Sequence, residues 1–267
     1  MFNRLHTCAL LLLAAAAPAH AQFTVQPPSP PADDYHVELG AVFWSPTPEL
    51  AINSNDLGVI GSEVDFVQEF GIEEKRFTEY RVTLKPGRKH KIRFHYLPIR
   101  YEQEAIIQRQ FVFGGRTFTV GLPANADVEW TLWRFGYEWD FISRSRGFLG
   151  LVADLKYNKV KAEIASPIGT ELGEATAPVP AIGVIGRGYL SEHVSVTGEF
   201  TGFRLPDSLS EELDVEFWDL DLYATVNLGR NLGVQGGYRS LDVEYAADED
   251  IGRLKMKGLY LGGVIRF

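Results

Sequence analysis

The last ten residues, Gly-Leu-Tyr-Leu-Gly-Gly-Val-Ile-Arg-Phe, change character at every second position. Leu259, Leu261, Gly263, Ile265 and Phe267 fall on one face, and Tyr260, Gly262, Val264 and Arg266 on the other. A period of two is that of a β-strand, whose successive side chains point to opposite faces. The pattern recurs along the chain. Trp133, Phe135, Tyr137 and Trp139 share one face of a segment, while Arg134, Glu138 and Asp140 share the other. Strands with one continuous apolar face and one charged face fit a wall with lipid outside and a polar lumen inside. Lipid offers no hydrogen-bond partner to a free sheet edge, so such strands must close on themselves.

The first 21 residues read differently. Arg4 precedes an apolar stretch over residues 8–17, and Ala19-His20-Ala21 is a small-x-small cleavage pattern. This reads as a secretory signal peptide over residues 1–21. The apolar stretch is too short for a spanning helix, which needs about 20 residues. Cys8 is the only cysteine and falls within it, so cleavage leaves no disulfide or thiol chemistry. Removing Arg4 leaves 25 basic against 35 acidic residues, net −10. That balance does not suggest nucleic-acid binding. Residues 22–34 are Pro-rich and read as a disordered periplasmic lead-in.

Residues 35–267 read as one domain, all-β, with no helical domain. Ten strands are expected: residues 35–45, 76–85 and 89–101; a fourth ending near 141; 148–163; a sixth ending near 190; then 193–205, 215–228, 232–245 and 254–267. Four connections are tight, near residues 87, 144, 191 and 230, and they alternate with longer polar ones. This is the pattern of an antiparallel up-and-down transmembrane β-barrel with short periplasmic turns and longer extracellular loops. Eight strands is the alternative, if segments merge. The loop over residues 46–75 should be ordered, since apolar residues recur through it. A hairpin over residues 100–122, with its tip at Gly114-Gly115, should stand clear of the outer surface.

Alternation also assigns the lumen. Glu79, Arg81, Lys91, Arg93, Arg134, Glu138, Asp154, Lys156, Arg187, Glu199, Asp219, Asp221 and Arg239 fall on the inward face. With Glu38, Lys85, Asp140 and Arg266 this makes eight acids and nine bases. An unpaired buried charge costs several kcal/mol, so these groups should pair across the lumen. The simpler expectation is a filled, ion-paired interior, and the sharper one a small, weakly selective pore. Ten strands lie between the side-chain-filled eight-stranded barrels and the 16–18-stranded porins.

No catalytic, cofactor-binding or metal-binding residue is assigned, and the chain is not expected to be an enzyme. His193 and Ser195, with Glu199 on the same face, resemble the His-x-Ser pair of outer-membrane lipid A deacylases. Ser195 nevertheless points to the lumen, whereas such an enzyme needs its nucleophile open to lipid. Outer-membrane proteases with ten strands pair Asp with His at the extracellular rim. Here the rim acids, Asp207, Glu211, Glu212, Asp248, Glu249 and Asp250, have no His in the late loops.

The signal peptide, the closing strand ending Val264-Ile265-Arg266-Phe267 and Gly-Tyr pairs such as Gly136-Tyr137 and Gly237-Tyr238 carry a resemblance. The chain resembles the small bacterial outer-membrane β-barrel proteins of the OmpA/OmpW-like group. The resemblance implies integral outer-membrane localisation, with Phe267 as the signal for the barrel-assembly machinery. It also implies contact with outer-membrane lipid and lipopolysaccharide and, by expectation, a monomer without cofactors. Because the chain stops at Phe267, no periplasmic anchoring domain is expected to follow. A structural or passive small-solute role is the leading expectation. The alternative is a surface binding or adhesion protein acting through residues 46–75 and 100–122.

Overall fold

In a computed structural model, residues 33–53, 63–205, 213–247 and 250–267 are described. Thirteen strands and one short helix follow in chain order. They are β1 (Val37–Ile52), β2 (Val64–Asp65), α1 (Phe66–Phe70), β3 (Phe77–Gly87), β4 (His90–Ile106), β5 (Phe111–Phe113) and β6 (Arg116–Phe118). Then come β7 (Pro123–Arg144), β8 (Gly147–Ser166), β9 (Gly169–Tyr189), β10 (Val194–Arg204), β11 (Leu213–Asn227), β12 (Leu232–Ala247) and β13 (Asp250–Arg266).

Ten of these form the wall, in the order β1-β3-β4-β7-β8-β9-β10-β11-β12-β13, each antiparallel to the next. The ring closes where β1 pairs with β13, from Glu38 opposite Arg266 to Ile52 opposite Gly252. The expected count of ten strands holds, and eight does not. Closure removes the free edges that lipid could not satisfy. No described helix is long and apolar enough to cross a membrane.

The outer face carries a continuous apolar band. Trp133, Phe135, Tyr137, Trp139 and Phe141 on β7 are each 42–46% exposed. Leu149, Leu151, Leu155 and Tyr157 continue the band on β8, and Leu259, Leu261, Ile265 and Phe267 on β13. Residues 133–141 make nine positions along β7, matching the ~9–11 residues a tilted spanning strand needs. The chain is therefore an integral outer-membrane β-barrel.

Above that band the alternation inverts without any slip in register. On β8, Tyr157 is followed outward by Lys159, Lys161 and Glu163, while Val160, Ala162 and Ile164 turn inward and are buried. On β7 the outward residues become Glu129 and Asp127, and the inward ones Leu132, Trp130 and Val128. Outside the membrane the wall meets water on its outer face, so the apolar residues move to the inner one. Much of the extracellular excursion is thus strand. The long connection expected between the fifth and sixth strands is a two-residue turn, Pro167-Ile168, carried up by β8 and β9 of 20 and 21 residues. The first seven residues of the loop expected over 46–75 likewise belong to β1.

The hairpin over residues 100–122 does not stand clear. β4 and β7 stay paired up to Ile106 opposite Pro123. Beyond them β5 and β6 form a hairpin whose tip, Gly114 (φ +55°) and Gly115 (φ +75°), has positive φ at both central positions. That geometry suits a two-residue hairpin turn and favours glycine there. The hairpin folds inward instead. Phe111, Phe113 and Phe118 are at most 1% exposed; Phe113 and Phe111 pack on Phe66 and Phe70 of α1, and Phe118 stacks on Phe111. Asp65 caps α1, its carboxylate accepting from the amides of Val67 and Gln68 at 3.0 Å. Arg109 to Glu69 (2.8 Å) ties the hairpin to the helix, and Arg116 to Glu171 ties it to β9. The described parts of the two excursions, α1 and the β5–β6 hairpin, thus form one lid over the extracellular mouth, while residues 54–62 of the loop expected to be ordered lie outside the described residues.

Candidate functional site

The interior below the lid has two storeys. The lower one holds the thirteen inward charges. Twelve of them are at most 7% exposed, and the Arg81 side chain is 12% exposed. All but Arg187 gather into two clusters, the first of three acids and three bases, the second of three bases and, with Asp140 at 3.0 Å from Lys91, four acids.

The first cluster joins β3, β8, β11 and β12. Arg81 meets Glu79 at 2.7 Å and Asp221 at 3.0 Å. Arg239 spans Glu79 (2.9 Å) and Asp219 (3.0 Å), and Lys156 reaches Asp219 at 2.8 Å. Tyr260 donates to Asp221 at 2.7 Å, and Lys156 donates to Thr201 at 2.7 Å. The second cluster joins β4, β7, β8 and β10. Lys91 meets Glu138 at 2.5 Å, and Arg93 lies between Glu138 (3.3 Å) and Glu199 (2.6 Å). Arg134 bridges Glu199 and Asp154, the latter at 2.6 Å. Gly136 makes room for this. A Cβ there would stand 2.2 Å from a carboxylate oxygen of Asp154.

About half of these pairs run within or between neighbouring strands, and the others, Arg81–Asp221, Arg239–Glu79, Lys156–Asp219, Arg93–Glu199 and Arg134–Glu199, cross the lumen. β4 and β10, which carry Arg93 and Glu199, are four places apart in a ring of ten, and so are β3 and β11. Arg187 is set apart from both clusters. It donates to Thr197 (2.9 Å) and Tyr223 (3.2 Å), and its nearest acid is Asp33 at 4.0 Å. Asp33 also pairs with Lys85 at 3.3 Å. The end of the segment read as a disordered lead-in therefore sits in the periplasmic mouth, while residues 1–32 lie outside the described residues. At the same end Arg266 meets Glu38 at 2.5 Å, and Phe267 closes the ladder by donating its amide to Val37 at 2.8 Å.

His193 and Ser195 are not brought together. His193 is exposed at the β9–β10 turn, and Ser195 is buried in the lumen, 2% exposed. Of the rim acids, 207, 211, 212, 248 and 249 lie outside the described residues, as does the side chain of Asp250. Among the described residues no three His, Cys, Asp or Glu are grouped so as to hold a metal.

The upper storey is apolar. Trp44, Leu97, Trp130, Phe217, Leu241 and Met256 are at most 2% exposed, and they share one core with the lid. Lys156 and Arg239 mark the boundary, lying over the rings of Phe217 (4.3 Å) and Trp44 (5.7 Å). Sequence reasoning missed this storey. Its signal was the inversion above Tyr157 and Trp133, where outward apolar residues give way to Lys159, Lys161 and Glu129. A cavity of about 300 Å³ remains here, between the inner faces of β7, β8, β9 and β11–β13.

The outer collar above the membrane carries its own pairs. The hydrogen bond to Asp127 raises the Arg100 pKa, and those to Glu174 and Glu163 raise Lys159 and Lys161. Burial pushes the Tyr101 phenol well up. All four stay in their ordinary charge states near neutrality.

No family model and no curated protein matches the chain. Solved structures do. The outer membrane protease OmpT of Escherichia coli superposes with a TM-score of 0.54 at 9% identity, over 86% of this chain and 96% of that one. The translocator domain of the autotransporter NalP from Neisseria meningitidis gives 0.46 at 9% identity, covering 87% and 89%. Ail, the attachment invasion locus protein of Yersinia pestis, gives 0.40 at 11%, covering 87% and 99%. At such identities the likeness is one of fold.

Proposed function

We propose that this chain is a non-conducting outer-membrane barrel whose exposed work is done at its extracellular end. One observation carries the reading: every base of the two lumen clusters is paired with an acid, and five of the pairs reach across the barrel between strands that are not neighbours. Several partners are within ~2.7–2.9 Å, the range of charge-assisted hydrogen bonds. Passage of a hydrated ion requires parting these pairs, and leaving one charge buried without its partner costs about 3–5 kcal/mol. Above this floor the described parts of the upper storey and the lid are mainly apolar and offer a migrating ion few polar partners. These features favour the filled interior over a passive solute pore.

The lid supports the surface-binding alternative in a changed form. The described parts of residues 46–75 and 100–122, α1 and the β5–β6 hairpin, do not act as two free arms. Pairs such as Arg109–Glu69 and Arg116–Glu171 hold them in one arrangement, which reduces the ordering cost of engaging a partner.

Refolded protein in a planar bilayer tests the proposal. The wild type should give no discrete conductance steps, and the same should hold after removal of residues 111–118. Steps in the wild type that shift in size with Asp219→Asn overturn it and restore the pore.

A further inference from the structure

Among the described residues the strand ladder is interrupted beside the upper part of β9, as it also is beside β1 above Trp44 and β4 above Tyr96, where α1 packs. β9 and β10 pair only from Tyr189 opposite Ser195 to Ile182 opposite Gly202. β9 continues upward to Gly169, paired with β8 on one side throughout. Among the described residues no strand pairs with its other edge over residues 169–181. The sequence there is Gly-Glu-Ala-Thr-Ala-Pro-Val-Pro-Ala over residues 173–181. Pro178 and Pro180 carry no amide donor, and proline within a sheet is confined to edges and bulges. The inward residues next above them are Ala177, Ala175 and Gly173, the smallest available, followed by Glu171, which Arg116 of the hairpin holds. One segment thus refuses a neighbour and leaves space inside.

The 300 Å³ cavity lies against this segment. Five consecutive residues, 173–177, line it, so the free edge of β9 faces it and not only the strand's inner side. Across from them stand Val215, Val243 and Leu254, with Trp130 below. The Trp130 indole already donates to Asn158 at 3.1 Å, and Asn158 in turn donates to the Lys156 carbonyl at 3.2 Å. The one charged lining residue, Glu174, is held by Lys159 at 2.9 Å. Asn53, Thr176 and Tyr245 also line it, so the cavity offers mainly hydrocarbon surface, some polar groups and no unpaired charge. Tyr157, opposite Pro178, marks the membrane boundary, and Ala181, the first residue without a β10 partner, stands opposite Asp154 just below it, so the gap opens within the upper edge of the lipid-facing band.

We infer that this cavity is a binding site for an uncharged hydrocarbon moiety, entered sideways past the unpaired edge of β9. A dry apolar cavity of about 150 Å³ accepts benzene. At about twice that volume, the occupant is the size of a fused two-ring aromatic or a short alkyl chain. It comes either as a free small molecule or as the end of a lipid tail. The site stands whether or not the charged floor conducts.

The test uses full-length barrel in lipid nanodiscs with its five tryptophans replaced by 5-fluorotryptophan, followed by ¹⁹F NMR as naphthalene is added. The Trp130 resonance, assigned by Trp130→Phe, should shift and saturate. That of Trp139, at the opposite end of the lipid-facing band, should drift linearly. Ala177→Phe or Ala175→Leu, which fill the cavity, should abolish the saturation at Trp130 while the barrel keeps its heat-modifiable migration. If neither variant folds, the four-ring hydrocarbon pyrene replaces naphthalene on the wild type and should fail to saturate. A Trp130 response that is linear, or that saturates equally in the filled variants or with pyrene, overturns the site. Doxyl-labelled lipid separates the sources. Broadening of Trp130 that naphthalene relieves assigns the resting occupant to a lipid tail, and no broadening assigns the site to free hydrocarbon.

Discussion

The two storeys of the lumen are built by the same strands on the same alternation, yet they are held together by opposite means. On β8, Asp154 and Lys156 point into the floor, and Val160, Ala162 and Ile164 into the storey above. What changes between them is the solvent outside. Opposite the floor the wall faces lipid, and the polar residues of each strand are turned inward. Opposite the upper storey it faces water, and the apolar residues are. The lower half is thus an inside-out protein and the upper half an ordinary one, joined at Lys156, Asp219 and Arg239. The floor depends on a few long-reach pairs, the upper half on many short contacts. The two should fail differently.

The largest effect is expected in the floor. Glu199→Gln leaves Arg93 and Arg134 facing each other, with only Glu138 and Asp154 to hold them. Breaking a buried pair from one side costs about 3–5 kcal/mol. The urea midpoint for unfolding from vesicles should fall accordingly. A loss below about 1 kcal/mol would show that water in the lumen compensates the charges, and the contrast between storeys would go.

Next comes the upper storey. Leu241 is fully buried in the core shared with the lid. Leu241→Ala should cost about 3 kcal/mol through lost contacts and the cavity left behind. Its signature is indifference to salt: the loss should be equal at low and at molar ionic strength. A salt-dependent loss would mean that the two storeys are coupled.

Much of this was legible before any coordinates. Period-two alternation found the ten strands, because a barrel wall in lipid tolerates no error of face, but it ended the first strand seven residues short and the third five residues short, where they run on above the membrane. It also put the thirteen charges on one side of the wall. It could not say which acid meets which base. Arg93 and Glu199 are 106 residues apart in sequence, and their meeting depends on strand tilt and side-chain reach, which no local pattern records. The lid was misjudged for a different reason. Phe111, Phe113 and Phe118 alternate as a strand pair does, but a hairpin with one apolar face must bury it, and the nearest apolar surface is the mouth beneath. The inversion of faces at Tyr157 was readable in principle.

A smaller effect is expected where the storeys join. Asp219→Leu alone strands Lys156, leaving it only the Thr201 hydroxyl and the Phe217 ring, and removes one of two acids from Arg239. The double change Lys156→Met with Asp219→Leu extends the apolar storey down by one layer and leaves Arg239 paired with Glu79 at 2.9 Å. Replacing both members of a buried pair by apolar residues is often neutral. The double variant should therefore be more stable than Asp219→Leu, by about 2 kcal/mol in urea titration. A double variant as weak as the single one would mean that the boundary is fixed by the polar groups themselves.

The smallest effect is expected at the lid, and it isolates what the ion pairs of the water-facing half contribute. Arg116 is held by Glu171 and by the Ile168 carbonyl, but its side chain is 40% exposed. An exposed pair contributes about 0–1 kcal/mol and is screened by salt. The hairpin's hold on the mouth comes instead from Phe111, Phe113 and Phe118, all at most 1% exposed. Arg116→Gln should leave the urea midpoint of the barrel unchanged and raise amide exchange only around residues 113–118, by less than about fivefold, the factor that corresponds to 1 kcal/mol. Molar salt should produce the same change in the wild type and no further change in the variant. If Arg116→Gln instead released the whole hairpin to protease, the water-facing half would rest on a charge pair after all, and the division between a floor held by ions and a roof held by packing would be wrong.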